Sequence, residues 1–304
     1  MNYSPVALFT YNRPAHTRKT LEALTLNPES PQTELFIYAD GPKPDATKED
    51  HAKINAVRQI IRERAWCGQV HFIEAETNRG LATSIVEGVR AILAHAGTAI
   101  VLEDDLQVAR GFLRYMNDAL RCYENEPQVM HVSGYMFPVR AKLPETFFLQ
   151  LGSSWGWATW KRAFEKYQPN AAHLRAELER RCLLTRFNLD GAYDYTAQLS
   201  ANADGRLRTW AVQWHATLVL QEALALYPRQ TLVENHGFDG TGTHCRRDPR
   251  FLSPSTGAGI SVVPAVLEES KCARQALRRF LQPPWTDRLR NRLGKTLGLH
   301  SSCL

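Results

Sequence analysis

The sequence lacks the features that mark several large classes of protein. No apolar run reaches the length of about 18 residues that a membrane-spanning helix needs. The six cysteines stand at irregular spacings, with no Cys-x-x-Cys pair, so we expect a reduced, cytoplasmic protein. Residues 1–9 have neither a basic start nor a long apolar centre, and we expect no secretory signal peptide there.

Two nucleotide-binding signatures are also missing. The first predicted strand runs into Asn12-Arg13-Pro14 and not into Gly-x-Gly-x-x-Gly. No complete Gly-x-x-x-x-Gly-Lys-Ser/Thr loop occurs anywhere in the chain. These two absences argue against a dinucleotide-binding fold of the usual kind and against a P-loop enzyme.

Positive charge is concentrated at one end of the chain, although the total is only +6. Residues 271–304 carry eight basic residues and one acidic residue, whereas the preceding part carries 29 basic and 30 acidic residues. The nearly neutral body argues against nucleic-acid binding, which needs a basic stripe on the folded domain. In the basic segment, apolar residues recur every four positions between arginines, at Trp285, Leu289, Leu293 and Leu297. This pattern is typical of an amphipathic helix on an anionic membrane surface; a helix docked on the body and a solvated C-terminus are the alternatives.

The first half of the chain repeats one unit, a short apolar strand followed by an amphipathic helix. We predict strands at 6–11, 34–39, 70–73 and 99–102. This alternation predicts an α/β fold with a mostly parallel central sheet and helices on both faces. From about Gly134 the repeat is lost and aromatic residues increase. We therefore divide the chain into 1–134, a second α+β half at 135–270, and the basic tail at 271–304.

The fourth strand runs directly into three carboxylates, Glu103, Asp104 and Asp105. Ligands of open α/β sheets bind at the carboxyl ends of the strands, where these acids fall. Adjacent carboxylates repel one another, and a hard divalent cation that also holds phosphates would neutralise them. The alternative is that Asp104 or Asp105 caps the helix that begins near Gly111.

Other polar residues follow the remaining strands and are expected at the same edge of the sheet. They are Arg13, Asp40, Asn78 and Arg79. An arginine at a helix N-terminus is a natural diphosphate ligand, and an aspartate beside a tight turn can accept a hydrogen bond from a base or a ribose. Each has a simpler interpretation as a turn residue, but together they favour one nucleotide crevice.

The chain resembles a known family of enzymes at this point. The stretches "ALFTYNRPAHTRKTLEAL", "IYADGP", "NRGLATSIVEGV", "VLEDDL", "SSWGWATWKRAF" and "ENHGFDGTGTHC" are similar to the GT-A glycosyltransferases, in particular to bacterial enzymes similar to N-acetylglucosaminyltransferase I. The resemblance extends over roughly residues 3–245. It implies a Rossmann-like nucleotide-sugar half at 1–134 and an acceptor-binding half at 135–270.

The resemblance also implies roles for individual residues. Asp105 would be a direct ligand of a divalent metal, usually Mn²⁺, and Glu103 and Asp104 would hold the sugar or ribose. Asp40 would contact the base, while Arg13 and Arg79 would lie near the nucleotide or diphosphate, with Asn78 beside them.

The second half offers candidate acceptor and catalytic residues. Trp155 and Trp157 belong to a dense aromatic patch that could stack on sugar rings, although tryptophans are often core. His244, in a glycine-rich loop, would complete the metal shell or play a structural role. An inverting reaction needs a base for the acceptor hydroxyl. Thr209-Trp210-Ala211 stands where the similar eukaryotic enzyme has an acid. Asp194, Asp204 and Asp239 are the available substitutes, of which we select Asp194, and a retaining mechanism is the alternative.

The sequence thus predicts a metal-dependent, inverting glycosyltransferase of the hexosyl or N-acetylhexosaminyl type. Its donor would be a nucleotide-diphosphate sugar, expected to be UDP-linked, and its acceptor a glycan or a lipid-linked glycan. We expect it in cell-surface polysaccharide biosynthesis, in the cytoplasm, with peripheral membrane contact through 271–304. The alternatives are a sugar nucleotidyltransferase and a non-catalytic carbohydrate-binding protein.

Overall fold

The computed structural model describes residues 3–237, 249–251 and 259–282. The strands are β1 (Val6–Thr10), β2 (Glu34–Ala39), β3 (Gln69–Glu74), β4 (Thr98–Glu103), β5 (Leu106–Val108), β6 (Val129–Ser133), β7 (Thr146–Leu149), β8 (Trp157–Trp160), β9 (Leu224–Pro228) and β10 (Val233–Asn235). The α-helices are α1 (Pro14–Thr25), α2 (Lys48–Arg62), α3 (Leu81–Ala96), α4 (Phe112–Cys122), α5 (Lys161–Phe164), α6 (Ala171–Arg180), α7 (Leu184–Phe187), α8 (Tyr195–Ala203), α9 (Ala211–Leu220) and α10 (Lys271–Leu281).

Eight of these strands form one sheet in the order β3-β2-β1-β4-β8-β6-β9-β7. The first four are parallel to one another, and β8 and β7 are antiparallel to their neighbours, so six of the eight strands run the same way. The prediction of an α/β fold with a mostly parallel central sheet is confirmed. Residues 6–9 of β1 and 99–102 of β4 are apolar and buried, because strands in the middle of such a sheet are buried on both faces.

The register of the sheet brings the carboxyl ends of the first four strands to one edge. Phe9 of β1 lies opposite Tyr38 of β2 on one side and opposite Glu103 of β4 on the other. β2 continues in the same register beside β3 as far as Ala39 and Glu74. The segments that follow these strands, which carry all the polar residues selected above, therefore leave the sheet at the same edge.

The sheet crosses the proposed division at residue 134. β6 ends at Ser133, and its neighbours β8 and β9 both come from the second half of the chain. Two apolar clusters lie along the sheet, and the half-buried Trp155 packs against both. The two halves are therefore joined by continuous backbone pairing.

Helix α10 lies at the beginning of the basic tail and packs on the body. Its Ala273, Leu277 and Leu281 are buried in the apolar cluster of the second half. Arg274 forms ion pairs with Asp190, between α7 and α8, and with Glu269, which lies just before α10. Up to Leu281 this end of the chain is thus a helix docked on the body, and membrane contact through 271–304 stays a prediction. Trp285, Leu289, Leu293 and Leu297 lie outside the described residues.

Among the described residues, every helix is too short or too polar to cross a bilayer.

Candidate active site

Arg13 and Asp105 form an ion pair at the carboxyl edge of the sheet. Pro14 fixes the start of α1 immediately after β1, and this places Arg13 at the N-terminal end of the helix. The Arg13 Nη1 donates a hydrogen bond of 2.8 Å to Oδ2 of Asp105. Their side chains are only 16% and 19% exposed, so the pair is partly withdrawn from water. Two predicted site residues from separate β-α units are thus in direct contact.

Asp104 is directed toward the protein interior and joins the acidic turn to the first β-α unit. Its Oδ2 accepts a hydrogen bond of 3.2 Å from the backbone N–H of Tyr11. Its carbonyl oxygen accepts one of 2.9 Å from the Thr20 hydroxyl, on the inner face of α1. Asp104 is 9% exposed. These bonds hold Arg13 and the acids in a fixed relation.

The three carboxyl groups of the acidic cluster repel one another, and Arg13 offsets only part of this repulsion. Burial, together with repulsion from Asp105, raises the pKa of Asp104 to about 7, and Arg13 opposes the shift. Burial also raises the pKa of Glu103 well above its ordinary value, with repulsion from Asp105 and Asp104 adding to it. A further positive charge placed here would favour the ionised carboxylates.

The segment after β10 forms a second wall beside Asp105. β10 pairs antiparallel with β5, and the backbone N–H of His236 then donates 2.9 Å to the Asp105 carbonyl oxygen. The Asn235 side chain accepts from the Gly237 N–H at 2.7 Å. A Cβ at Gly237 would lie 2.2 Å from Asp105 Oδ2, so only glycine keeps the space beside that carboxylate open. The sequence pattern indicated a flexible glycine loop here and gave no signal for this close approach.

The described residues were compared with the metal site that the sequence predicts. In residues 3–237, 249–251 and 259–282, no three His, Cys, Asp or Glu side chains are arranged around one point as metal ligands. His244, the other predicted ligand, lies outside the described residues.

Asp40 organises the loop that leads into α3. Its two carboxylate oxygens accept four hydrogen bonds, from the backbone N–H groups of Gly41, Arg79 and Gly80 and from the Asn78 amide, at 2.8 to 3.0 Å. Asp40, Asn78 and Arg79 are therefore brought together as predicted neighbours. In this arrangement Asp40 is occupied in shaping the loop, and the contact with a base stays a prediction.

The Asp40 cluster lies beside the Arg13–Asp105 pair along the edge of the sheet. β1 separates β2 from β4, so the strand ends that carry Asp40 and Asp105 are about 10 Å apart, two strand spacings. The Arg79 guanidinium forms a close ion pair with Glu87 on α3.

The two candidate acceptor tryptophans have different positions. Trp155 is half-buried and lines a cavity beside the acidic edge. Trp157 is 0% exposed and stacks between His131, at 5.4 Å between ring centroids, and Trp210, at 5.0 Å. The prediction for Trp157 is corrected: it is a core residue, because β8 lies inside the sheet between β4 and β6 and is buried on both faces.

Asp194 is the N-cap of α8. One carboxylate oxygen accepts a hydrogen bond of 3.0 Å from the Ala197 N–H, and the side chain is exposed. Capping explains an aspartate at this position without any catalytic role. The next residue, Tyr195, lines the same cavity as Trp155, whereas Asp194 itself is not among the lining residues.

Comparison with known proteins gives a family match over the first part of the chain. The family model described as "Glycosyl transferase family 2" matches residues 6–129. A search of curated proteins gives no significant match.

Three solved structures resemble the chain weakly. TarS of S. aureus is 14% identical with a TM-score of 0.28, and the match covers 46% of this chain and 23% of TarS. Mouse xyloside xylosyltransferase 1 is 16% identical with a TM-score of 0.36, covering 73% of this chain and 82% of that one. A UDP-glucose pyrophosphorylase complexed with UDP-glucose is 9% identical with a TM-score of 0.36, covering 75% and 90%. This chain thus spans less than a quarter of TarS, and at these scores the likenesses carry no argument about function.

The matched segment begins at β1 and ends at the first residue of β6, so it contains Arg13, Asp40 and all three acids of the site. The α/β sheet with this acidic edge is GT-A-like, and residues 6–129 are similar to the glycosyl transferase family 2 domain, a match that supports a glycosyltransferase.

Proposed function

We propose that the protein transfers a sugar from a nucleotide-diphosphate donor to a glycan or lipid-linked acceptor. The observation that carries the proposal is the Arg13–Asp105 pair, which stands at the carboxyl edge of the sheet beside two further acids. A crevice at that edge is where open α/β sheets bind their ligands. The family match over residues 6–129 supports the same conclusion.

Arg13 is the residue proposed to meet the diphosphate. Its guanidinium lies at the N-terminal end of α1, so the free N–H groups of the first turn add to its positive potential. Negative charge grows on the diphosphate as the sugar leaves, and a fixed guanidinium stabilises that charge more than it stabilises the intact donor. The ion pair with Asp105 holds Arg13 in place before the donor binds.

A divalent metal, for which we propose Mn²⁺, fits the donor set as a partner shared with the diphosphate. Hard cations of this kind are held by one or two carboxylates together with phosphate oxygens, which suits the incomplete shell around Asp105. Gly237 keeps space open at Asp105 Oδ2. When bound, the metal would supply charge neutralisation at the leaving diphosphate. Asp105 and His244 are the proposed ligands, and Glu103 and Asp104 are proposed to hold the sugar or ribose.

We propose an inverting reaction in which Asp194 takes the proton of the acceptor hydroxyl. Its exposed carboxylate, next in sequence to the cavity residue Tyr195, supports this role, since only one of its oxygens is used in capping α8. The UDP-linked donor, the N-acetylhexosaminyl or hexosyl type and the place in polysaccharide synthesis are supported only by the sequence resemblance.

The experiment is calorimetry of nucleoside diphosphates with and without Mn²⁺, on the wild type and on Asp105→Asn. The amide keeps a hydrogen-bond acceptor for Arg13 but removes the charge that a cation needs. We expect Mn²⁺-dependent binding in the wild type and at least a ten-fold loss in Asp105→Asn, with little change in melting temperature without metal. Unchanged binding in the variant would refute the assignment of Asp105.

Two other functions are distinguished by their products and ligands. A sugar nucleotidyltransferase would release pyrophosphate from a nucleoside triphosphate and a sugar 1-phosphate, which a phosphate-release assay detects. A non-catalytic carbohydrate-binding protein would bind glycans but no nucleoside diphosphate. The proposed transferase instead releases the nucleoside diphosphate from a nucleotide sugar only when an acceptor is present.

A further inference from the structure

A cavity with aromatic walls opens next to the acidic edge, in the second half of the chain. It has about 470 Å³ of empty space, part of it open to solvent. Its walls come from the segment after β6, the loop that precedes β8, and the facing sides of α8 and α9, and they include Tyr135, Ser153, Ser154, Trp155, Gln198 and His215.

The register of the sheet places the cavity beside the acids. Val101 of β4 lies opposite Trp157 of β8, and Gly156 lies beside Leu102, so Trp155 comes from the same edge of the sheet at which Glu103 ends β4. The Trp155 ring packs edge-to-face on Tyr135, with 4.4 Å between the centroids. The aromatic wall and the proposed donor site therefore share one edge of the sheet.

His215 lines this cavity and carries a buried hydrogen-bond acceptor without a partner. Its Nε2 lies 3.0 Å from the Phe187 carbonyl oxygen, which can only accept, so Nε2 carries the proton. Nδ1 is then a lone-pair acceptor, and it has no hydrogen-bond partner although the residue is only 1% exposed. A buried acceptor without a donor is costly, which indicates that a ligand supplies one.

The imidazole is held rigidly in this tautomer. It stacks on Phe187 at 4.9 Å and meets Tyr195 edge-on at 4.6 Å. Burial lowers the pKa of His215 to about 4, so the ring is neutral at physiological pH. The Nδ1 atom of His215 is thus preorganised to accept a hydrogen bond from a hydroxyl group, and the uncharged ring repels neither a neutral ligand nor water.

The lining also limits the charge of the ligand. Among the described residues that surround the cavity, none is Lys, Arg, Asp or Glu. A phosphate or a carboxylate placed here would lose its hydration without gaining a counter-charge. Aromatic faces suit the C–H surface of a sugar ring, and the serine hydroxyls and His215 suit its O–H groups.

We propose that this cavity binds an uncharged sugar ring of the acceptor and that His215 Nδ1 accepts a hydrogen bond from one of its hydroxyls. Its role as an acceptor site rests on the proposed glycosyl transfer, whereas the neutrality of the ligand follows from the lining alone. His215 is then a specificity-determining residue that favours neutral acceptors over uronic acids.

The test is saturation-transfer NMR with methyl β-glucopyranoside, methyl N-acetyl-β-glucosaminide and methyl β-glucuronide. We expect transfer to at least one neutral glycoside and none to the glucuronide. His215→Gln keeps an N–H group for the Phe187 carbonyl but removes the Nδ1 acceptor, so binding should weaken roughly ten-fold. His215→Asn places an amide oxygen near the former Nδ1 and should recover part of the affinity.

Ala211→Phe fills the cavity from the start of α9, one helical turn before His215, and should abolish glycoside binding while the fold is retained by circular dichroism. If the His215 variants fail to fold, Ala211→Phe still tests whether glycosides bind in this cavity. No transfer to any glycoside, equal transfer to the glucuronide, or unchanged binding in Ala211→Phe would overturn the proposal. Asp105→Asn should bind glycosides like the wild type, so a failure of nucleotide binding and a failure of this cavity are separate outcomes.

Discussion

Three consecutive acids have three different environments at the end of β4. Asp105 pairs with Arg13, Asp104 accepts a backbone N–H from the first β-α turn, and Glu103 is the last residue of the strand. The sequence predicts that acids stand at this edge, because the preceding residues are apolar and the strand is short. It does not predict which acid meets Arg13, since that depends on a contact 92 positions apart in the chain.

Asp194 offers a substitution that separates capping from catalysis. Asp194→Asn keeps a side-chain oxygen for the Ala197 N–H, and Asn caps helices about as well as Asp. We therefore expect an unchanged midpoint of chemical denaturation. If the carboxylate is the base, sugar transfer should fall by roughly 10² to 10⁴ while donor binding is kept. Initial rates and donor affinity measured on the same preparation check this.

The control for Asp194 is Asp204→Asn, because Asp204 is an exposed acid next to the end of α8 that pairs with Arg206. Loss of the Asp204 carboxylate should change the rate of sugar transfer by less than two-fold, roughly the effect of losing a surface ion pair. Transfer by Asp194→Asn at the wild-type rate would remove Asp194 from the mechanism and leave it as a helix cap.

His131 is expected to make the protein less stable in acid. It is fully buried on β6 and accepts a hydrogen bond of 3.1 Å at Nδ1 from the Trp214 indole. Burial lowers the pKa of His131 to about 3. Between pH 6.5 and pH 3 the unfolded chain binds a proton at this residue and the folded chain does not, so stability falls as pH falls. At pH 5 the loss is about 2 kcal/mol.

The comparison that isolates His131 is the denaturation midpoint at pH 7.5 and pH 5, in the wild type and in His131→Asn. The amide oxygen replaces the Nδ1 acceptor for Trp214 but does not titrate. Glu103 and Asp104, whose pKa values are raised in the folded state, act in the opposite direction, so only the difference between the two proteins is informative. Equal pH dependence of both proteins would show that His131 does not contribute.

Helix α10 stabilises the second half through one face. Leu277 is fully buried between Ala273 and Leu281, and Leu277→Ala should lower the free energy of unfolding by about 2 to 4 kcal/mol because it leaves a cavity in a close-packed cluster. Urea denaturation measures the change. Arg279→Ala, on the exposed face of the same helix, should change it by less than about 0.5 kcal/mol. Equal effects would mean that α10 does not dock as described.

Which elements were predictable depends on how local their causes are. The helical spacing of Ile54, Val57 and Ile61 in the sequence indicates one buried face for α2, and these three residues are buried. Which tryptophan of the patch is buried could not be predicted from the sequence, because the burial of β8 side chains depends on the strands that pair with β8. Trp157 stacks on His131 from β6, and the sequence carries no signal for that pairing.

Considered as a whole, the molecule is organised by the central sheet. The order β4-β8-β6-β9-β7 places strands side by side that are far apart in the sequence, and antiparallel β8 separates β4 from β6. The repeating units of the first half could be predicted because parallel β-α-β connections are local and have one hand. The second half has no such repeat, so only the structure shows that its cavity lies at the same edge as the acids.

The uneven charge of the chain gives the final prediction. Arg288, Arg290, Arg292 and Lys295 belong to the basic tail, beyond the described residues. Each basic residue near an anionic membrane surface contributes about 1 kcal/mol, so replacing all four by Gln should weaken binding to phosphatidylserine-containing vesicles by roughly 10³. Vesicle sedimentation measures it, and pure phosphatidylcholine vesicles should bind neither protein.

The matched control replaces four exposed basic residues of the body by Gln, namely Lys43, Lys48, Arg110 and Lys161. The same charge is removed, but from a surface with no apolar residues at helical spacing, so binding should change little. An equal loss in both proteins would mean that net charge alone drives the attraction. Unchanged vesicle binding by the tail variant would contradict peripheral membrane contact through the basic tail. The docking of α10 on the body would then be the structural role that remains for residues 271–281.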